Sequence, residues 1–117
     1  FALAHLGWPW VDECLATAGR FLAAVGWSNM DRTQMFVDIT PGTPKLWRTE
    51  ALRKAIVYLG SDLQIFGSDN ISPEDPEGYR KVVSGDLVIF KEELGLTGGV
   101  IEKIMRRNLD RFLKGTT

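Results

Sequence analysis

Three short apolar runs, "FALAH" (1–5), "MFVDI" (35–39) and "LQIF" (63–66), constrain this chain more than any other feature. They start near residues 2, 35 and 63, so the repeat is about thirty residues, the length of a strand–helix unit. Each run is followed by apolar residues at helical spacing. After the first, Val11, Leu15, Ala18, Leu22 and Val25 recur, ending near Gly26. After the second, Thr43 reads as an N-cap and Pro44 as the first helical residue of a helix reaching about Leu59. That helix would bury Leu52, Ala55, Ile56 and Leu59. After the third comes the loop "GSDNISPEDPEG", then a helix carrying Tyr79, Val83, Leu87, Phe90 and Leu94. A last helix from about Thr97 carries Ile101, Ile104, Met105, Leu109 and Phe112. This order predicts an α/β fold in which right-handed crossovers place helices against parallel strands. Helical cover also explains strands that read as unbroken apolar runs.

The remaining numbers bound partners and compartment. The 117 residues suffice for one domain, taken as 1–117, with a modest core. A net charge of −1 gives no electrostatic reason to expect nucleic acid or an anionic membrane. No apolar run approaches the roughly 20 residues of a membrane span, and nothing resembles a secretory signal. The single cysteine, Cys14, sits among Val11, Leu15 and Ala18 and reads as a buried, inert thiol. A reducing compartment, the cytoplasm, is the expected location. Because the first strand begins at Phe1 with no methionine ahead of it, a longer chain is expected upstream. A three-stranded sheet would leave two open edges, so self-association into a homo-oligomer is a further expectation.

In parallel α/β folds, ligands bind beyond the carboxyl ends of the strands. There the first strand brings His5, Leu6, Gly7, Trp8 and Pro9, the second Asp38 and Thr40, and the third Ser68, Asp69 and Asn70. A histidine and an aspartate on one rim are the ingredients of a metal or acid–base site. Taken singly, each has an ordinary reading: Asp after Gly-Ser is a turn former, and a lone His beside a strand is a satisfied structural group. Asp38 reads as a structural hydrogen-bonding residue. Trp8 and Trp10 could wall a pocket or pack over the rim.

The segments "AHLGWPWVDE", "FVDIT" and "IFGSDN", in this order, resemble the last third of the metal-dependent amidohydrolases of the branch that includes aminocarboxymuconate-semialdehyde decarboxylase. The closing "IEKIMRRNLDRFL" is similar to that branch's final helix, with its Asn-Xaa-Xaa-Arg-Phe/Leu pattern. The resemblance implies the last three strand–helix units of a (β/α)₈ TIM barrel. It implies that Asp69 ligates or adjoins a divalent metal ion, zinc foremost, and takes the proton of the metal-bound water. It implies that His5 orients or polarises substrate or water, with Trp8, Trp10 and Asn70 near the small-molecule substrate. The first five units, with their His-Xaa-His pair and further histidine, lie outside this chain. The position after Asn70, often proline in the decarboxylase-like members, is Ile71.

The expected activity is therefore water activation for hydrolysis of an amide, ester or lactone by the longer protein, the 117 residues alone being inactive. Non-oxidative decarboxylation at the same site is the alternative, and a catalytically inactive α/β module is another. Nucleotide binding is not indicated. No strand is followed by a Gly-Xaa-Gly-Xaa-Xaa-Gly or Lys-Ser/Thr phosphate loop, and "LGLTGGV" lies between helices as punctuation.

Overall fold

A computed structural model describes residues 1–72 and 74–115; within the predicted loop, Pro73 lies outside the described residues. The elements follow the predicted order: β1 (Ala2–Leu3), α1 (Val11–Val25), β2 (Phe36–Asp38), α2 (Lys45–Leu59), β3 (Gln64–Ile65), α3 (Pro76–Val88), α4 (Gly98–Glu102) and α5 (Asn108–Lys114). The three strands form one parallel sheet with β2 in the centre. Ala2 lies opposite Phe36 and Leu3 opposite Val37, while Val37 pairs with Gln64 and Asp38 with Ile65. The chain is thus helix-rich α/β.

Register and alternation divide the sheet into two faces. Side chains alternate along a strand and partners in register share a face. One face carries Leu3, Met35, Val37, Ile39 and Gln64; its apolar residues join Leu15, Ala18 and Leu22 of α1 and Leu52, Ala55 and Leu59 of α2 in the main core, to which Leu63, just ahead of β3, also belongs. Phe90 and Ile104 complete it from the C-terminal helices. The other face carries Ala2, Phe36, Asp38 and Ile65. Phe36, fully buried, meets Phe112 edge-on at 5.4 Å, and the Arg111 guanidinium lies 4.6 Å over its ring.

The final helix is tied to the sheet by the polar residues of its Asn-Xaa-Xaa-Arg pattern. The Asn108 Nδ2 donates to the carbonyls of Ser61 (2.6 Å) and Gln64 (2.7 Å), capturing the backbone on either side of the start of β3. Arg111 donates to the carbonyls of Thr33 (2.5 Å), Met30 (3.3 Å) and Asp62, ahead of β2 and β3. Burial pushes its guanidinium pKa down, against the opposing pull of Asp62 and Asp31. One helix thereby closes the amino ends of two strands.

Two helix starts differ in kind. Asp75 caps α3, its carboxylate accepting from the Gly78 amide at 2.9 Å with Pro76 in the first position. For α2 the expected cap was Thr43, but the helix begins at Lys45 with Pro44 in the capping position and no side-chain cap. The C-terminal helices also run through two π-turns, Ile89–Glu93 and Lys103–Arg107, which the apolar spacing did not reveal.

Cys14 lies against Gly7, whose φ is +71° and where any Cβ would overlap the Cys14 side chain. Burial pushes its thiol pKa up. Since the thiolate is the reactive form, Ellman's reagent at pH 8 should modify the native chain at least about tenfold more slowly than the urea-unfolded chain. Equal rates would show that the thiol is not shielded.

Candidate functional site at the strand ends

Because the strands are parallel, their carboxyl ends lie on one rim of the sheet. The first end is abrupt. Only Ala2 and Leu3 stay extended; Ala4–Gly7 form a tight turn in which His5 (φ 54°, ψ 33°) and Leu6 (φ 53°, ψ 24°) are left-handed. Leu6 is fully buried, anchoring the turn in the core, and the His5 carbonyl accepts from the Trp8 amide at 3.0 Å. The His5 side chain lies against the loop after β2: a Cβ built on Gly42 would stand 3.0 Å from His5 Nδ1. That nitrogen is buried without a hydrogen-bond partner among the described residues.

The second end is held by Asp38. Its Oδ1 accepts from the Thr40 amide at 2.7 Å and from the Thr40 hydroxyl, a turn of the kind Asp makes with its own backbone two residues on. This is the structural role expected for Asp38. Gly67, the residue opening "GSDN", packs directly on Thr40: any Cβ there would overlap the threonine hydroxyl and stand 3.6 Å from Asp38 Oδ1. The ends of β2 and β3 are therefore in contact through a glycine.

The third end carries Asp69, exposed and left-handed at φ 56°. The loop's local hydrogen bonds are made by its neighbours. Ser68 Oγ accepts from the Asn70 amide (3.2 Å), Asn70 Nδ2 donates to the Asp75 carbonyl (2.8 Å), and Asn70 Oδ1 accepts from the Ser72 amide (3.2 Å). Asp69 itself has no hydrogen bond or ion pair in which its carboxylate takes part among the described residues. It is not the cap of its own turn.

The other candidates sit at the edges. Trp8 stacks on Trp47 of α2 (centroids 5.5 Å apart, 24° between planes) and lines a groove of about 310 Å³ between α1 and α2. Trp10 is 65% exposed and lines a separate hollow of about 280 Å³ with Leu3 and Cys14. Asn70 spends its amide group on the loop. The rim thus brings together His5, Asp38, Thr40 and the loop bearing Asp69, with Trp8 and Trp10 outside it.

Two contributors were not singled out in the sequence. Gly42 and Gly67 make the close approaches of loop to His5 and Thr40. Behind the rim, Arg48 Nη2 donates to the Ile39 carbonyl at 2.7 Å just past β2, and its Nε and Nη2 grip Asp86 of α3 at 2.9 and 2.7 Å. As for a metal, no three His, Cys, Asp or Glu side chains converge among the described residues. Asp69 fits as one donor with open oxygens. A catalytic zinc usually takes three protein ligands, so this chain does not by itself fit a complete metal shell. The sequence and structure match no family model, no curated protein and no solved structure.

Proposed function

We infer that the chain supplies the last three strand–helix units of a metal-dependent, amidohydrolase-type TIM barrel, in which Asp69 is the proton acceptor for the attacking water and His5 orients the substrate carbonyl. One observation carries this reading. Among the described residues, the non-glycine residues with left-handed backbone are His5, Leu6 and Asp69, so backbone strain coincides with the two residues whose chemistry the rim could use. Left-handed backbone costs an L-residue roughly 1 kcal/mol or more, least for Asp and Asn, and such strain gathers at functional sites. The order of strands is the one consecutive barrel strands require.

A bound divalent ion, zinc foremost, would lower the pKa of its water toward neutrality. The chain's own part is narrower. The Asp69 carboxylate takes a proton from water as the water oxygen bonds to the carbonyl carbon, and returns it to the leaving group as the carbon–heteroatom bond breaks. His5, whose Nδ1 is buried beside Gly42, would use Nε2 to donate to or orient the carbonyl oxygen. Asp38 and Thr40 hold the two strand ends in register.

The reading requires five further strand–helix units ahead of Phe1, within a frame of roughly 250 to 300 residues. The protein containing them should hydrolyse nitrophenyl esters or lactones, lose that activity to a chelator and regain it with zinc. Release of carbon dioxide without any hydrolysis would assign the decarboxylase instead. Chelator-resistant hydrolysis, or no turnover of either kind, would remove the assignment.

A further inference from the structure

We propose that the groove between the start of α2 and the flank of α3 is a binding site for a phosphate group, separate from His5 and Asp69 and independent of the hydrolase reading. Helix α2 has no side-chain cap; the Trp47 amide donates to the Pro44 carbonyl at 2.9 Å, while the Lys45 and Leu46 amides have no partner among the described residues, and a helix amino terminus favours anions. Two buried groups point to a ligand there. Arg48 is only 6% exposed; Nε and Nη2 are spent on Asp86 and the Ile39 carbonyl, while Nη1 has no partner among the described residues. Thr43, also 6% exposed, has a buried hydroxyl with no partner among them. Both line one groove of about 480 Å³, whose walls also carry Lys45, Lys81, Asp86 and Glu93.

The unmatched buried groups of this groove among the described residues, an Arg48 N–H and the Thr43 hydroxyl, can both donate. Its acids are already engaged, Asp86 with Arg48 and Glu93 with the Thr49 hydroxyl at 2.5 Å. Three cations (Lys45, Arg48, Lys81) against two carboxylates (Asp86, Glu93) leave a formal charge of +1 among the lining residues. A water molecule can accept from at most two such donors, and a carboxylate presents two oxygens. A tetrahedral oxyanion presents several oxygens to an ammonium, a guanidinium, a hydroxyl and backbone amides together. Free inorganic phosphate and the phosphate of a small phosphomonoester share this chemistry.

The test is a titration of the chain with inorganic phosphate, followed by amide chemical shifts at constant ionic strength, with glycerol phosphate and acetate in parallel. We expect saturable shifts concentrated at residues 43–49, with a Kd on the order of 1 mM or tighter, and none that saturate with acetate. Saturation by glycerol phosphate as well would identify a phosphomonoester site; saturation by inorganic phosphate alone would identify a free-ion site. The exposed-residue variant Lys45→Gln/Lys81→Gln should weaken binding by about tenfold without changing the melting temperature, whereas Lys114→Gln should leave it unaltered. Shifts that fail to saturate, acetate binding as tight as phosphate, or unchanged affinity in the double variant would overturn the proposal.

Discussion

Asp86→Ala should destabilise the chain by about 3–5 kcal/mol, the cost of leaving a buried charge without its partner. The two side chains are 7% and 5% exposed, and their contact is bidentate. Removing the carboxylate leaves the buried Arg48 guanidinium with only the Ile39 carbonyl, just past β2, to receive it. Against a typical total of about 5–15 kcal/mol, that loss is about a fifth of the stability or more. The same reasoning predicts that Arg48→Met/Asp86→Leu, which removes both charges and keeps the volume, costs far less. Urea unfolding monitored by circular dichroism measures both. A loss below about 1 kcal/mol for Asp86→Ala would show that the pair behaves as a surface ion pair.

The largest functional effect is expected at Asp69. On the proposed reading, in a protein carrying the upstream strand–helix units, Asp69→Asn should lower kcat by about 10²–10⁴, the usual worth of a positioned general base. The substitution preserves shape and tolerance of left-handed backbone, and it breaks no hydrogen bond found among the described residues. The fold should therefore be unaffected. His5→Asn should act in the same direction with a larger rise in KM, since an orienting group contributes to binding as well as to the reaction step. A kcat for Asp69→Asn within a factor of about three of the original would remove Asp69 from the chemistry.

Much of the fold could be read from the sequence because the strand–helix alternation is written in apolar spacing. The boundaries of α1 and α2 fall within a residue or two of those predicted, and the parallel sheet follows from the strand–helix alternation, with β2 at its centre. The strands themselves are shorter than their apolar runs. "FALAH" reads as a strand to His5, yet pairing stops at Leu3 because His5 and Leu6 turn left-handed, a backbone choice that periodicity does not encode. Thr43 has the composition of a cap, but its buried hydroxyl makes no hydrogen bond to the first-turn amides of α2. The Arg48–Asp86 pair joins residues 38 apart and was invisible to local pattern. Its trace is positional only: Arg48 stands on the stripe of Ala51, Leu52, Ala55 and Leu59, and Asp86 lies one helical turn before Phe90.

The rim was partly legible for a related reason. A histidine and an aspartate at the ends of neighbouring parallel runs mark a location, and the order of strands puts both on one side of the sheet. What composition could not show is how each is held. Gly42 and Gly67 matter because a Cβ would collide with His5 or Thr40, and a turn glycine looks the same in sequence whether or not anything lies against it. Trp8, which the sequence placed near substrate, finds Trp47 on the helical side, a partner 39 residues away that no local signal pairs with it.

The central claim is that Asp69 is kept in a strained conformation for chemistry and not for the turn. The equilibrium unfolding of Asp69→Gly tests it on this chain directly. Glycine adopts φ 56° without steric cost, and the carboxylate it removes caps nothing among the described residues. The relief of left-handed strain should offset the roughly 0.5–1 kcal/mol of extra backbone entropy that glycine loses on folding, so the variant should be about as stable as the original chain. A loss of about 1 kcal/mol or more on the same substitution would show instead that the Asp69 side chain holds the loop together, and its place at the strand end would then be structural.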